Sequence, residues 1–200
     1  DAVQVINTFQ KNDLIEINEK FSKKIKKIKT KYHFIDFQKT NKNSSIKQNI
    51  LIAPTWGTNF YEKNLHIKIC KSLIELNYNI VFRPHPMTIN REPDFLNELE
   101  NLNININKDP YIYISNYKNL ISDWSGIIFE FFIIKKKKSF CINTSKKINN
   151  LNFKDYKSIP IELELRNNIS SNYEINDWKN IIRDIEEENI IDEKINKYFY

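Results

Sequence analysis

Only two glycines, two cysteines and one methionine occur in 200 residues, where average usage would supply ~14 glycines. A chain so poor in glycine is expected to keep one where a side chain would block a positive φ or the approach of a ligand to the backbone. Both glycines lie where an apolar run stops before a helical one. Gly57 closes Ile52-Ala-Pro-Thr-Trp-Gly57 and Gly126 closes Ile121-Ser-Asp-Trp-Ser-Gly126. A glycine that merely eases a turn is the plainer reading of each; the match between the two stretches favours a pair of ligand loops.

Cys70 and Cys141 are too few and too scattered for a disulfide framework or a Cys-based metal site, and as reduced core thiols they fit a cytoplasmic setting. No Cys or His cluster supports zinc, no GxxxxGK[ST] supports a P-loop NTPase, and no GxGxxG is present, so neither metal nor cofactor is expected. His33 and His66 have no partner at a metal or triad spacing, and a surface position is expected for His66. No apolar stretch approaches the ~18 residues of a membrane span, and no signal peptide opens the chain. The start at Asp1, without Met, reads as a fragment of something longer.

Charge is plentiful but uneven. Residues 1 to 50 carry eleven lysines and five acids, which accounts for the whole net charge of +6; the remainder is balanced. Leu14, Ile17, Phe21, Ile25 and Ile28, three or four apart, predict an amphipathic helix over residues 12 to 30. The lysines from Lys20 to Lys31 cover its other faces. They are a solvated surface or a contact to an anionic membrane. Nucleic acid is not expected, because no aromatic side chains interleave with them. Residues 40 to 48 read as a linker. The chain divides into 1–48, basic helix and linker, and 49–200, one α/β domain.

From residue 49 short apolar strands alternate with helices. Strands are expected at 50–53, 79–82, 104–106, 119–122, 139–142 and around 159–165. Helices are expected over 61–76, from Pro93 through Leu99, over 125–134, near 176–188 and over 190–199. This pattern implies a Rossmann-like parallel sheet with helices on both faces, and ligands bind such sheets beyond the carboxyl ends of the strands. That rule gathers Thr55, Trp56 and Gly57, then Arg83 to Met87, then Asp123 to Gly126, on one rim.

Arg83-Pro-His-Pro86 holds a guanidinium and an imidazole between two prolines, fit for a phosphate or for a rigid turn. The helix expected from Ser125 would aim free N–H groups at an anion; Ser125 can cap it or bind a phosphate oxygen. Glu130 can reach a ribose or polyol hydroxyl or sit on an exposed helix face. The run Lys135 to Lys138 belongs to the opposite edge, where it complements a helix C-terminus.

With Ala53-Pro-Thr-Trp56, Arg83-Pro-His-Pro86 and Ile121-Ser-Asp-Trp-Ser-Gly-Ile-Ile-Phe-Glu130, residues 49 to 150 resemble the C-terminal half of the CDP-glycerol glycerophosphotransferase family. The resemblance implies a GT-B architecture of two Rossmann-like domains, teichoic acid or surface-polysaccharide synthesis, and a C-terminal domain that holds a CDP-activated donor, the substrate. It makes His85 the catalytic histidine at the donor phosphates, Ser125 and Gly126 the phosphate loop, and Glu130 an acid contacting donor. Thr55, Trp56, Gly57, Arg83 and Asp123 complete the expected donor site. Gly126 stands where a second serine is usual, and Gly57 where an arginine often follows Thr-Trp. The family's catalytic base lies in an N-terminal domain that residues 1–48 would end, so this piece is expected to bind donor but transfer little, with a polymer acceptor and the inner membrane face as its setting. Another GT-B glycosyltransferase or an epimerase using a UDP-sugar, and a non-catalytic membrane-associated scaffold domain, are the alternatives.

Overall fold

The computed structural model describes residues 2–5, 8–29, 38, 49–91, 94–109, 112–146, 148, 153–155, 157 and 159–186. Six short strands form a wholly parallel sheet: β3 (Asn49–Ile52), β4 (Asn79–Phe82), β5 (Asn105–Ile106), β6 (Asn119–Ser122), β7 (Ser139–Asn143) and β8 (Ser170–Glu174). Their spatial order is β5-β4-β3-β6-β7-β8. The chain therefore runs outward from β3 to one edge, returns, and runs outward from β6 to the other. That reversal between β3 and β6 is the switch point of a doubly wound sheet, where a crevice opens for ligands. The fold is the Rossmann-like α/β class expected from the alternation of elements.

Burial on both faces explains why the central strands are continuous apolar runs. Ile50, Leu51 and Ile52 have no exposed surface at all. Alternation along the strand sends Ile50 and Ile52 to one face and Leu51 to the other. On the first face they meet Ile69 and Leu73 of the helix α2 (Leu65–Glu75), Leu96 and Leu99 of α4 (Asp94–Asn101), and Ile181 of α8 (Lys179–Asp184). On the second, Leu51 joins Ile128, Phe131 and Phe132 of α5 (Ile127–Lys135) and Ile169 of α7 (Arg166–Ile169). Cys70 and Cys141 are buried and free, as core thiols.

Asparagine does much of the work glycine usually does. Asn64, Asn77 and Asn103 adopt left-handed φ values of 54°, 59° and 54°, the region in which asparagine is the best-tolerated substitute.

Several expectations need correction. The helix expected over 12–30 is α1 (Thr8–Lys20) and stops there. Ser22 turns left-handed at φ 50°, and the Asn18 side chain closes the turn by bonding both the N–H and the carbonyl of Ile25 at 3.1 Å. The lysines beyond it form β2 (Lys26–Lys29), parallel to β1 (Ala2–Val5). The strand expected at 159–165 is instead the helical turn α6 (Ile161–Glu164), begun by Pro160. Ile159 and Leu163 are exposed, and the sixth strand is the polar Ser170–Glu174. Pro86 opens a further helix, α3 (Pro86–Arg91), where a loop was expected, as a proline in a first turn can. The helix near 176–188 is present as a 3-10 turn, Ile175–Asp177, followed by α8. The linker at 40–48 and the helix over 190–199 lie outside the described residues.

Candidate functional site

The expected rim exists. Ladder bonds carry the strands to their carboxyl ends in register: Ala53 N–H donates to Ile121 O at 3.0 Å and Arg83 N–H to Ile52 O at 2.8 Å. The Ser122 hydroxyl adds a bond to Ala53 O at 2.7 Å. The loops after β3, β4 and β6 thus emerge side by side at the switch point.

Asp123 ties them. Its carboxylate has no exposed surface. Oδ1 accepts the Thr55 N–H at 2.8 Å, while Oδ2 accepts the hydroxyls of Thr58 at 2.9 Å and Thr144 at 3.2 Å. Burial pushes its pKa up; the three donors and the charge of Arg166 oppose that shift. A buried carboxylate is tolerated only with such partners. Asp123, counted by sequence among the donor-binding residues, thus spends both oxygens on the protein and acts as a clamp between the loops after β3, β6 and β7. Ser145 N–H, bonded to Asn59 Oδ1 at 2.8 Å, reinforces the same junction.

Across the switch point Trp56 lies beside His85, ring centroids 6.2 Å apart, with the Arg91 guanidinium 4.6 Å from the Trp56 centroid. His85 Nδ1 accepts the Met87 N–H at 3.1 Å. In a neutral imidazole that bond leaves the proton on Nε2, a donor for a ligand oxygen. Arg83 is half-buried; desolvation lowers its pKa, and Glu130 and Asp109 raise it by their charge. The acid on α5 and the guanidinium after β4 therefore feel one another across the rim.

Gly57 has a φ of 64°, a left-handed conformation that glycine adopts at no steric cost. Gly126 does not share it. It is the N-cap of α5 at φ −60° and ψ −19°, no side-chain hydrogen bond caps the helix, and a Cβ added there would meet nothing within 4 Å. Ser125 makes no side-chain cap on α5; Ile128 N–H donates to Ser125 O at 3.3 Å and Phe129 N–H to Gly126 O at 3.1 Å, so the N–H groups of Gly126 and Ile127 are the ones at this helix start of the kind that binds anions. Thr55, Trp56 and Ser125 are partly buried, and Gly57 and Gly126 exposed, at this rim.

Other features lie elsewhere. His66 is not at the surface: it is 2% exposed, ringed by Tyr61, Phe82 and Phe95 at centroid distances of 5.3, 6.4 and 5.8 Å. The lysine run is at the opposite edge, where Lys135 Nζ donates to Ser115 O and Lys137 Nζ to Asn119 Oδ1, at the start of β6. His33 lies outside the described residues. Sequence reasoning missed Arg91, Thr58, Thr144 and Arg166 as site residues; Thr58 stands one residue past the Gly57 turn.

Among known protein families, the one described as CDP-Glycerol:Poly(glycerophosphate) glycerophosphotransferase matches residues 11–140, spanning every segment of this rim. No curated protein matches the chain.

Proposed function

We propose, from the premise that this chain belongs to the CDP-glycerol:poly(glycerophosphate) glycerophosphotransferase family, that the rim is the donor half of its transferase site. The family carries the reaction class, a glycerophosphotransferase-type transfer, and with it a nucleotide-activated donor and a polymer acceptor in general. The observation that carries the donor assignment is the approach of Trp56 to His85 beside the uncapped start of α5. A diphosphate seated there would accept from His85 Nε2 and from the N–H groups of Gly126 and Ile127, with Arg83 supplying charge. When an acceptor hydroxyl attacks the phosphorus that bears the polyol, a new P–O bond forms and the bond to the nucleotide monophosphate breaks. These groups stabilise the charge that grows on the departing nucleotide. In this reading Glu130 accepts from a ribose or polyol hydroxyl of the donor. CDP-glycerol is the donor we favour. The acceptor hydroxyl gives up its proton to a general base as the new P–O bond forms.

Calorimetric titration with CDP, CDP-glycerol and UDP-sugars tests the reading. Binding of the cytidine ligands is expected, and His85→Ala should weaken it about tenfold or more, the worth of one hydrogen bond to a charged group. No heat with any nucleotide would sink it.

An anionic membrane surface is the second partner we propose. Phe21 is 50% exposed at the tip after α1, with the amines of Lys20 and Lys23 at 5.8 and 5.9 Å from its ring. Attachment at the inner face of the membrane fits that tip; no described helix is long and apolar enough to cross. Co-sedimentation with anionic but not neutral vesicles, lost in Phe21→Ser with Lys23→Glu, is the expected result.

A further inference from the structure

A second concavity lies next to the rim, beyond the carboxyl ends of β6, β7 and β8, and neither Arg83 nor His85 lines it. Its volume is about 470 Å³, within the ~300–1,000 Å³ of small-molecule pockets. Trp124 forms one wall, held in place by its Nε1–H donating to Thr144 O at 2.8 Å. Asn143 lines it from the end of β7, Asn172 and Glu174 from β8, and Glu162 and Asn167 from the helical turns α6 and α7.

The charges decide what this concavity can hold. Arg166 looks like an anion ligand but is sealed, 3% exposed, with its guanidinium 3.6 Å from the Trp124 centroid. One terminal nitrogen donates to Ile142 O at 3.1 Å. Nε and the other terminal nitrogen have no nitrogen or oxygen partner, and the weakly accepting Cys141 thiol lies against the group. Its charge is opposed from within by Asp123. Among the lining side chains that leaves Lys146, whose amine is 5.3 Å from the Trp124 centroid, against two glutamates. One amine against two carboxylates repels a phosphate. Asn143 Nδ2 donates to Glu174 Oε1 at 2.6 Å and Asn172 Nδ2 to Asn167 Oδ1 at 3.1 Å, which holds the array in place. The Asn143 Oδ1, Asn167 Nδ2 and Glu174 Oε2 that these bonds do not use, with Glu162 and the indole, suit vicinal hydroxyls and the C–H face of a sugar or polyol.

We propose that this concavity binds an uncharged polyhydroxylated unit, glycosyl or polyol, of the acceptor. The acceptor assignment rests on the reading of the rim as a diphosphate site. Trp124 lies three residues before Ile127, the first residue of α5, so a hydroxyl-bearing group on the indole is close in the chain to the start of that helix. The Thr144–Asp123–Thr55 bonds join the two sites into one frame.

The three tryptophan indole N–H signals in a nitrogen-15 spectrum of the chain, assigned through Trp→Phe variants, test this directly. Trp56 reports the rim, Trp124 the concavity, and Trp178 serves as the control. The probes are inorganic pyrophosphate, CDP-glycerol, ribitol and the methyl glycosides of glucose and N-acetylglucosamine. Expected is a saturable shift of Trp124 with at least one neutral probe, Trp56 unmoved, weakened severalfold in Asn167→Ala and Glu174→Gln; both replace partly or fully exposed side chains, so folding should survive. Pyrophosphate should move Trp56, and any shift of Trp124 should be smaller and follow the same saturation curve. If Trp56 answers pyrophosphate and no neutral probe moves Trp124, the concavity proposal falls and the rim stands. If neutral probes move Trp124 and nothing moves Trp56, the rim reading falls, and the acceptor assignment with it. Direct saturation of Trp124 by pyrophosphate, or competition between CDP-glycerol and the neutral probes, would overturn the acceptor proposal in favour of an anion or donor subsite.

Discussion

Two elbows that look alike are built for different reasons. After β3 the chain reaches Gly57 in a left-handed conformation and wanders through a 3-10 turn, Glu62–Asn64, before α2 begins. After β6 it reaches Gly126 in a helical conformation and enters α5 at once. The first elbow uses glycine for a left-handed backbone. At the second, glycine leaves open space over a helix start, which the fold itself does not require. The helices behind them differ as well. α2 carries a buried imidazole with no hydrogen-bond partner, whereas α5 is buried through Ile127, Ile128, Phe131 and Phe132. One elbow is made by conformation and the other by vacancy, and a repeated motif does not imply a repeated cause.

The largest expected effect removes what the elbows share. Asp123→Ala orphans Thr55 N–H and two threonine hydroxyls at once and should cost ~3–4 kcal/mol, read from denaturant midpoints. A loss below ~1 kcal/mol would mean that the elbows hold their places independently.

Acid should separate the helices behind them. Burial lowers the His66 pKa from 6.5 to about 4. The unfolded chain then takes up its proton first, so stability is lost as pH falls from about 6.5 to about 4, by up to ~3 kcal/mol, with no contribution from this group at higher pH. Amide exchange in α2 should accelerate more than in α5 over that window, and His66→Phe should remove this part of the slope. Equal acceleration in both helices would place the acid sensitivity elsewhere.

The smallest effect is the sharpest on the glycines. Gly57→Ala should cost ~1–2 kcal/mol, the price of a left-handed alanine. Gly126→Ala should stay within ~0.5 kcal/mol in thermal melts and yet weaken diphosphate binding, because its methyl enters the space a ligand would use. Equal destabilisation by the two alanines would erase the distinction.

The central strands were legible because they are covered on both faces: Ile50–Ile52 and Leu120–Ile121 have no exposed surface and so cannot be written in polar residues. β8 was illegible for the converse reason. It is an edge strand of Ser-Ser-Asn-Tyr-Glu, while the apolar Ile159 and Leu163 that mimicked it are exposed in a helical turn. The lysine-rich stretch after α1 kept a helical spacing of isoleucines, but the Asn18 side chain stopped the helix through contacts seven residues away. At the site, the loops followed from topology alone. The partners of Asp123 did not, because Thr58 and Thr144 lie 65 and 21 residues from it and each is a lone hydroxyl without local signal.

The ends of the sheet bear on how the chain behaves in company. β5 offers a neighbour only Asn105 and Ile106 to lengthen the ladder, and β8 presents hydrophilic side chains along its rung. Long apolar open edges are what fibrils recruit. With one border abbreviated and the other wetted, crowded copies of this chain have little incentive to zip together through their sheets.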